Sequence, residues 1–146
     1  MEQHVWKFTV RKKKPDLVIS TLSLSNIVLD AGQNLTVNYT VKNQGEVSTG
    51  SGPKHCVYLS TDNVIDGNDT CLDEDSQFSI GAGNKNSETT FISIPDNTEP
   101  GTYFIGVFAD YKGAIAESDE SNNTSAIEIT VPKPVDIVLA KWVGAL

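Results

Sequence analysis

Carboxylates and amides crowd two stretches of the chain, and these are the residues whose chemistry has to be decided first. In STDNVIDGNDTCLDED, residues 60–75, Asp62, Asp66 and Asp69 stand among Asn63, Asn68, Asp73, Glu74 and Asp75 around Gly67. Calcium takes six to eight oxygen ligands and a loop that can curl, and this stretch supplies the oxygens and a glycine. Against the helix-loop-helix calcium pattern it matches at Asp62, Asp66 and Gly67. It departs at Val64 in the third position and at Asp73, where a bidentate glutamate belongs. Asp62, Asp66 and Asp69 are therefore candidate calcium ligands, and the competing reading is a solvated turn whose Asp and Asn side chains cap the backbone. The second stretch holds Asp110, Glu117, Asp119, Glu120, Asn122 and Asn123. Here the stronger reading is again loop capping, with calcium as the alternative.

Cys56 and Cys71 bracket the first acidic stretch, 15 positions apart. In an oxidising compartment a disulfide between them closes that loop, stabilising by about 3 kcal/mol on loop-closure grounds. The alternative is a pair of reduced thiols. With only His4 and His55 to add, the cysteines make a poor zinc set. A nucleophile pairing Cys56 with His55 fails as well, because neighbouring residues of a strand point to opposite faces. No phosphate-binding glycine loop, nucleophile elbow or zinc-protease helix is present in the sequence, so the chain is read as non-catalytic.

The elements that must position these groups are strands. The alternation of Leu35, Val37, Tyr39 and Val41 with Thr36, Asn38, Thr40 and Lys42 gives one core face and one wet face. Leu17–Leu24 precedes it as a first strand, and Val57 and Leu59 face inward on a third, with Cys56 and Tyr58 behind them. Phe78 and Ile80 form a short fourth strand. Thr90, Ile92 and Ile94 mark the fifth, Tyr103, Ile105, Val107 and Ala109 the sixth, and Ile127, Ile129 and Val131 the seventh. Seven short alternating runs with turn signals between them predict an all-β protein, an immunoglobulin-like antiparallel β-sandwich of about seven strands. In that topology the loops after the third and sixth strands lie at opposite ends, so the two acidic sets do not share an ion. Tyr103, just after Pro100-Gly101, is placed for a tyrosine corner. Phe91, Phe104 and Phe108 alternate onto the faces opposite the core and form an apolar patch if they cluster.

A net charge of −8 conceals an uneven distribution. Lys7, Arg11, Lys12, Lys13 and Lys14 precede Pro15, and from Pro15 onward 18 acids face 6 bases, a balance of −12. Such a body repels phosphate backbones, which argues against nucleic acid and leaves divalent cations and neutral or cationic surfaces as partners. No run approaches a membrane span, so direct membrane insertion is not expected. The sequence lacks a signal peptide although its Ser, Thr, Asn, Asp and Gly content has a secreted character, which fits a piece of a longer protein. Lys14-Pro15-Asp16-Leu17-Val18-Ile19-Ser20 and Lys133-Pro134-Val135-Asp136-Ile137-Val138-Leu139-Ala140 follow one pattern, preceded by Phe8-Thr9-Val10 and Ile129-Thr130-Val131. The expected organisation is thus a tail at 1–14 that ends a preceding repeat, a domain at 15–132, and a linker with the first strand of a following repeat at 133–146.

The order of PDL, AGQ, VNYTVKNQG, VYLSTD, IGAG, IPDNTEPGTYFIGVFAD and AESDESNN resembles the CARDB domain, a cell-adhesion-related module of bacterial and archaeal surface proteins, from Pro15 to about Val131. The cysteine pair departs from that pattern. The resemblance implies an immunoglobulin-like fold and a non-catalytic extracellular adhesion or spacer role, with adjacent domains of the same polypeptide, and a surface protein or glycan, as partners. No cofactor is required; calcium is the possible one. The alternative is a carbohydrate-binding or ancillary domain of a secreted hydrolase or protease. A glycan platform would need Trp6, Tyr58, Tyr111 and Trp142 aligned on one exposed face.

Overall fold

A computed structural model describes residues 7–135. They form seven strands: β1 (Leu17–Leu24), β2 (Asn34–Asn43), β3 (Lys54–Ser60), β4 (Thr70–Ser76), β5 (Lys85–Ser93), β6 (Gly101–Phe108) and β7 (Thr124–Val131). There is no helix among the described residues. One sheet has the order β1-β2-β5 and the other β4-β3-β6-β7, with every pairing antiparallel. This is the all-β immunoglobulin-like sandwich that the alternation predicts.

The layers bury what the period-2 pattern offers. Leu35, Val37, Tyr39 and Val41 from β2 meet Val57, Ile105, Val107 and Ile129 of the facing sheet in one core. In β1 the apolar residues do not alternate strictly, and a register shift between Ile19 and Thr21 corrects this. The extra residue lets Leu22 and Leu24 return to the core face after Leu17 and Ile19. Beyond β1, Ile27–Leu29 leaves its sheet and bridges in parallel to Thr130 at the end of β7. The edge facing solvent there is thereby closed.

The fourth strand is Thr70–Ser76, not the Phe78–Ile80 run that hydrophobicity favours. As an edge strand it needs few apolar residues: Leu72 packs on the main core and most other positions are polar. Phe78 is 90% exposed. Ile80 is buried outside any strand, because Thr49 N–H donates to its carbonyl at 3.0 Å and its own N–H donates to Thr49 Oγ1 at 2.9 Å. The expected phenylalanine patch does not form either. Phe91 lies on β5 in one sheet and is 77% exposed, whereas Phe104 and Phe108 lie on β6 in the other.

A second, smaller core lies behind the four-stranded sheet. Cys56, Tyr58 and Ile65 are buried there against Phe108, Tyr111 and Ala126, so β3 is covered on both faces. Ile65, from the loop after β3, sits on the bare Cα of Gly106. The Cys56–Cys71 disulfide, with Cα atoms 6.1 Å apart, joins β3 to β4 beside it. The tail residues 7–16 form no strand, and Phe8 and Val10 are exposed. Residues 1–6 and 136–146, including Trp6, Trp142 and most of the second Lys-Pro pattern, lie outside the described residues.

Ile65 and Gly106 should couple. Gly106→Ala places a Cβ where the Ile65 side chain sits and is expected to cost about 1–3 kcal/mol in urea unfolding. On an Ile65→Ala background, itself costing about 2–4 kcal/mol, the same change should be close to neutral, and a double-mutant cycle with no coupling would contradict this packing.

Candidate functional site

The densest polar chemistry lies at the N-terminal pole, where the chain reaches β1 beneath the long β6–β7 loop. Asp110 opens that loop with φ of 50°, a left-handed conformation that Asp tolerates better than most residues. Its Oδ1 accepts the Ala114 N–H at 3.1 Å and its Oδ2 accepts the Ile115 N–H at 2.9 Å. Its own N–H donates to His55 Nδ1 at 3.1 Å. Glu117 reaches into the interior. Its Oε2 accepts the Leu17 N–H at 2.7 Å and its Oε1 accepts Asn123 Nδ2 at 2.7 Å, while its N–H donates to Glu120 Oε1 at 2.8 Å. Asp110 and Glu117 are 2% and 4% exposed.

Ligand oxygens of Asp110, Glu117 and Glu120 lie within 4.8 Å of one another. Among the described residues no salt bridge neutralises them. Burial therefore pushes the Glu117 carboxyl up to about 7 against its hydrogen bonds, and the Asp110 carboxyl is raised by the same cause. Asn123 Oδ1, on a side chain that is itself buried, has no partner. Asn122 and Asp16 complete the pole: Asn122 Nδ2 donates to Asp16 Oδ1 at 2.9 Å, and Ser118 N–H donates to the Pro15 carbonyl at 2.9 Å.

The Asp62 set is arranged differently. Asp62 Oδ1 accepts the Val64 N–H at 2.9 Å, Asp66 Oδ1 the Asn68 N–H at 2.8 Å, and Asp69 Oδ2 the Asp66 N–H at 2.8 Å. Each carboxylate caps its own turn, and among the described residues no group of three acids containing them converges. The loop is fastened from within by Ile65, a residue that sequence reading passed over because it sits in a polar run. It lies at the C-terminal pole, since Ser60 pairs with Phe104 near the start of β6. The two acidic sets are at opposite ends, as expected.

Cys56 and His55 point to opposite faces of β3. His55 is fully buried in the main core, edge-on to Tyr39, with its ring centroid 6.4 Å from the tyrosine's. Burial lowers its pKa to about 4, so it is neutral near pH 7 and its Nδ1 is occupied by the Asp110 N–H. Such a histidine organises a loop; it is shielded from any substrate. Tyr103 donates its hydroxyl to the Glu99 carbonyl at 2.8 Å, forming the tyrosine corner. Tyr58 is buried under Tyr111, whose hydroxyl donates to Glu74, also the partner of Lys54 at 2.9 Å and of Lys112 at 3.5 Å. Sequence reading also passed over Asn43. Its Oδ1 accepts the Asp16 and Gly45 N–H groups, and its Nδ2 donates to the Val47 and Ile80 carbonyls. The only signal was its place at the end of a strand before Gln-Gly.

With this geometry in view, the comparisons are specific. The CARDB family model matches residues 14–127. No curated protein sequence matches the chain. Among solved structures, the chain is similar to the CARDB domain of the PF1109 protein from Pyrococcus furiosus, determined in complex with di-metal ions. That likeness has a TM-score of 0.60 and 20% identity over 84% of this chain and 98% of that one. A domain of a protein from Methanosarcina acetivorans assigned to the cell surface matches with a TM-score of 0.54 and 20% identity, covering 83% and 95%. A β-glucosidase from Listeria innocua matches with a TM-score of 0.51 and 18% identity over 82% of this chain, which spans only 16% of the enzyme's.

Glu117 and His55 set opposite pH slopes, and the raised Asp110 carboxyl acts in the same direction as Glu117. Glu117 binds its proton more tightly in the fold than its ordinary 4.5, so its contribution to stability is complete below about pH 4.5 and is lost as pH rises through 7. His55 binds its proton less tightly than its ordinary 6.5, so its contribution is complete above that value and is lost as pH falls toward 4. Between roughly pH 4.5 and 6.5 the two should nearly cancel. Glu117→Gln keeps an acceptor for the Leu17 N–H and removes the titrating group. With chelator present, its unfolding free energy should therefore fall by up to about 3 kcal/mol between pH 7 and 4, less the opposing share of Asp110, exposing the histidine slope. A variant curve parallel to the parent's would refute the assignment.

Proposed function

We propose, from the premise that this chain belongs to the CARDB family, that the domain is a non-catalytic adhesion or spacer module of a multidomain cell-surface or secreted protein. The observation that carries this reading is the path of the chain. Leu17 meets Glu117 and Asn43 at one pole, whereas Val131 pairs with Gly101 at the other, so the polypeptide passes through the sandwich lengthwise. A unit threaded in this way separates whatever precedes and follows it by its own length. The Cys56–Cys71 disulfide supports an oxidising, extracellular setting. The assignment of the Methanosarcina relative to the cell surface supports the same setting. Adjacent domains of the same polypeptide, across boundaries near residues 15 and 132, are the first partners, followed by a surface protein or glycan.

A divalent cation at the N-terminal pole belongs to this reading. Asp110, Glu117 and Glu120 supply hard oxygen donors, and the unpartnered Asn123 Oδ1 offers another, a set that suits calcium. The di-metal complex of the Pyrococcus domain gives a precedent within the fold. The carboxylates of Asp62, Asp66 and Asp69 each cap a turn and, among the described residues, do not converge with two other acids, which makes them the weaker candidates. A second reading, an ancillary domain of a secreted hydrolase, draws on the occurrence of the fold within the Listeria β-glucosidase. An aromatic glycan platform has less behind it: Tyr58 is buried and Tyr111 leans on it.

Surface labelling of intact cells that carry the full-length parent should modify this domain from outside, and labelling only after lysis would overturn the spacer reading. Calcium at about 100 times its Kd should raise stability by about 2.7 kcal/mol over the chelated protein. That gain should vanish in Glu117→Gln/Glu120→Gln and persist in Asp62→Asn/Asp66→Asn. No response in the parent, or its loss only in the second variant, would remove the cation from this pole.

A further inference from the structure

Among the described residues all strand pairings within the two sheets are antiparallel, and the one isolated bridge is parallel. After β1 the chain continues as Ile27-Val28-Leu29 beside the end of β7. Thr130 N–H donates to the Ile27 carbonyl at 2.8 Å, and Leu29 N–H donates to the Thr130 carbonyl at 3.0 Å. Leu29 is fully buried, which holds this crossing segment against the core. The first folded stretch, 17–29, and the last, 124–131, thus both run toward the C-terminal pole. One is approached from the N-terminal pole and the other is left at the opposite pole.

We propose that the domain is built to bear tension, its terminal strands forming a shear clamp. Hydrogen bonds between strands lie across the strand direction. A pull applied before Pro15 and after Val131 draws the 17–29 stretch toward one pole and β7 toward the other. It therefore loads the Ile27–Thr130–Leu29 bonds, the whole β1–β2 ladder and the whole β6–β7 ladder together, along the strands. Loaded along the strands, the bonds of each ladder share the pull instead of taking it in turn. The start of β1 is held by further bonds to parts of the fold that do not move with it. Leu17 N–H is fixed by Glu117, Asp16 N–H by Asn43 Oδ1 at 3.1 Å, and the Pro15 carbonyl by Ser118 N–H. The disulfide also removes the Cys56–Cys71 segment from the length that unfolding can release.

A pull that separates β1 from the end of β2 acts differently. Leu17 pairs with Asn43 at the same pole, so force applied there opens the ladder pair by pair. The resistance is therefore directional, strongest along the axis on which a spacer is threaded. This deepens the spacer reading and rests on it only for what does the pulling.

Single-molecule force spectroscopy tests it on the whole chain in two geometries. In one the handles are at the two termini; in the other they are at the N-terminus and at a cysteine replacing the exposed Ser48, in the turn after β2. At equal pulling rate, the end-to-end geometry should give a several-fold higher unfolding force, in one event. Thr130→Pro, which removes the N–H given to Ile27, should lower that force while leaving the second geometry unchanged. If that variant does not fold, the comparison of geometries on the parent sequence still decides. Equal forces in the two geometries would overturn the clamp, as would a first low-force step that frees only residues 17–29, about 45 Å of chain. A domain labelled only after lysis but strong end to end would lose the spacer reading and keep the clamp.

Discussion

A buried carboxylate fastening a backbone amide is the interaction on which the architecture of this domain turns. Glu117, 4% exposed, accepts the Leu17 N–H across 100 positions of sequence, fixing the first residue of the first strand to the loop that leads into the last. A buried anion without a basic partner is costly and needs hydrogen bonds to hold it. Here two N–H donors, from Leu17 and Asn123, meet it. Burial, with the neighbouring carboxylates adding to it, raises the Glu117 and Asp110 pKa values.

Around that fastening the polar groups of the N-terminal pole form a set of pegs. Asn43 makes four side-chain hydrogen bonds that tie the approach to β1, the turn after β2 and the irregular strand-like run at Ile80. His55 takes the Asp110 N–H from inside the core. Each peg holds a backbone that sheet ladders do not reach, which is where an orphaned amide or carbonyl would cost most. The outer core does equivalent work at the back of the four-stranded sheet, where Ile65, the disulfide and the Tyr58–Tyr111 pair cover β3. A central strand buried on both faces and a pole pegged by side chains both stiffen the body.

Among the strands, β2 was legible residue by residue, because a half-buried strand must alternate and its sequence does. The tyrosine corner was legible from Tyr103 after Pro-Gly. By contrast β4 was hidden, since an edge strand buries little and its composition, TCLDEDS, is that of a loop. Phe78-Ser79-Ile80 offered a false strand because hydrophobicity reports burial, and Ile80 is buried without pairing. The three phenylalanines were each placed on an outward face, but alternation does not say which sheet a strand joins, and they divide between two.

That this chain is a two-layered antiparallel sandwich of the CARDB family could be read from its residues alone, because alternation, turn residues and the order of its motifs are local properties written along the chain. The convergence of Asp110, Glu117 and Glu120, while Asp62, Asp66 and Asp69 each cap their own turn, emerges only once the layers are packed. So do the roles of Asn43 and His55 as internal pegs and the parallel course of residues 27–29, beyond the first strand, beside the end of the last. Those outcomes depend on distances between residues as many as 100 positions apart, fixed by the packing of whole layers; no window of sequence contains them.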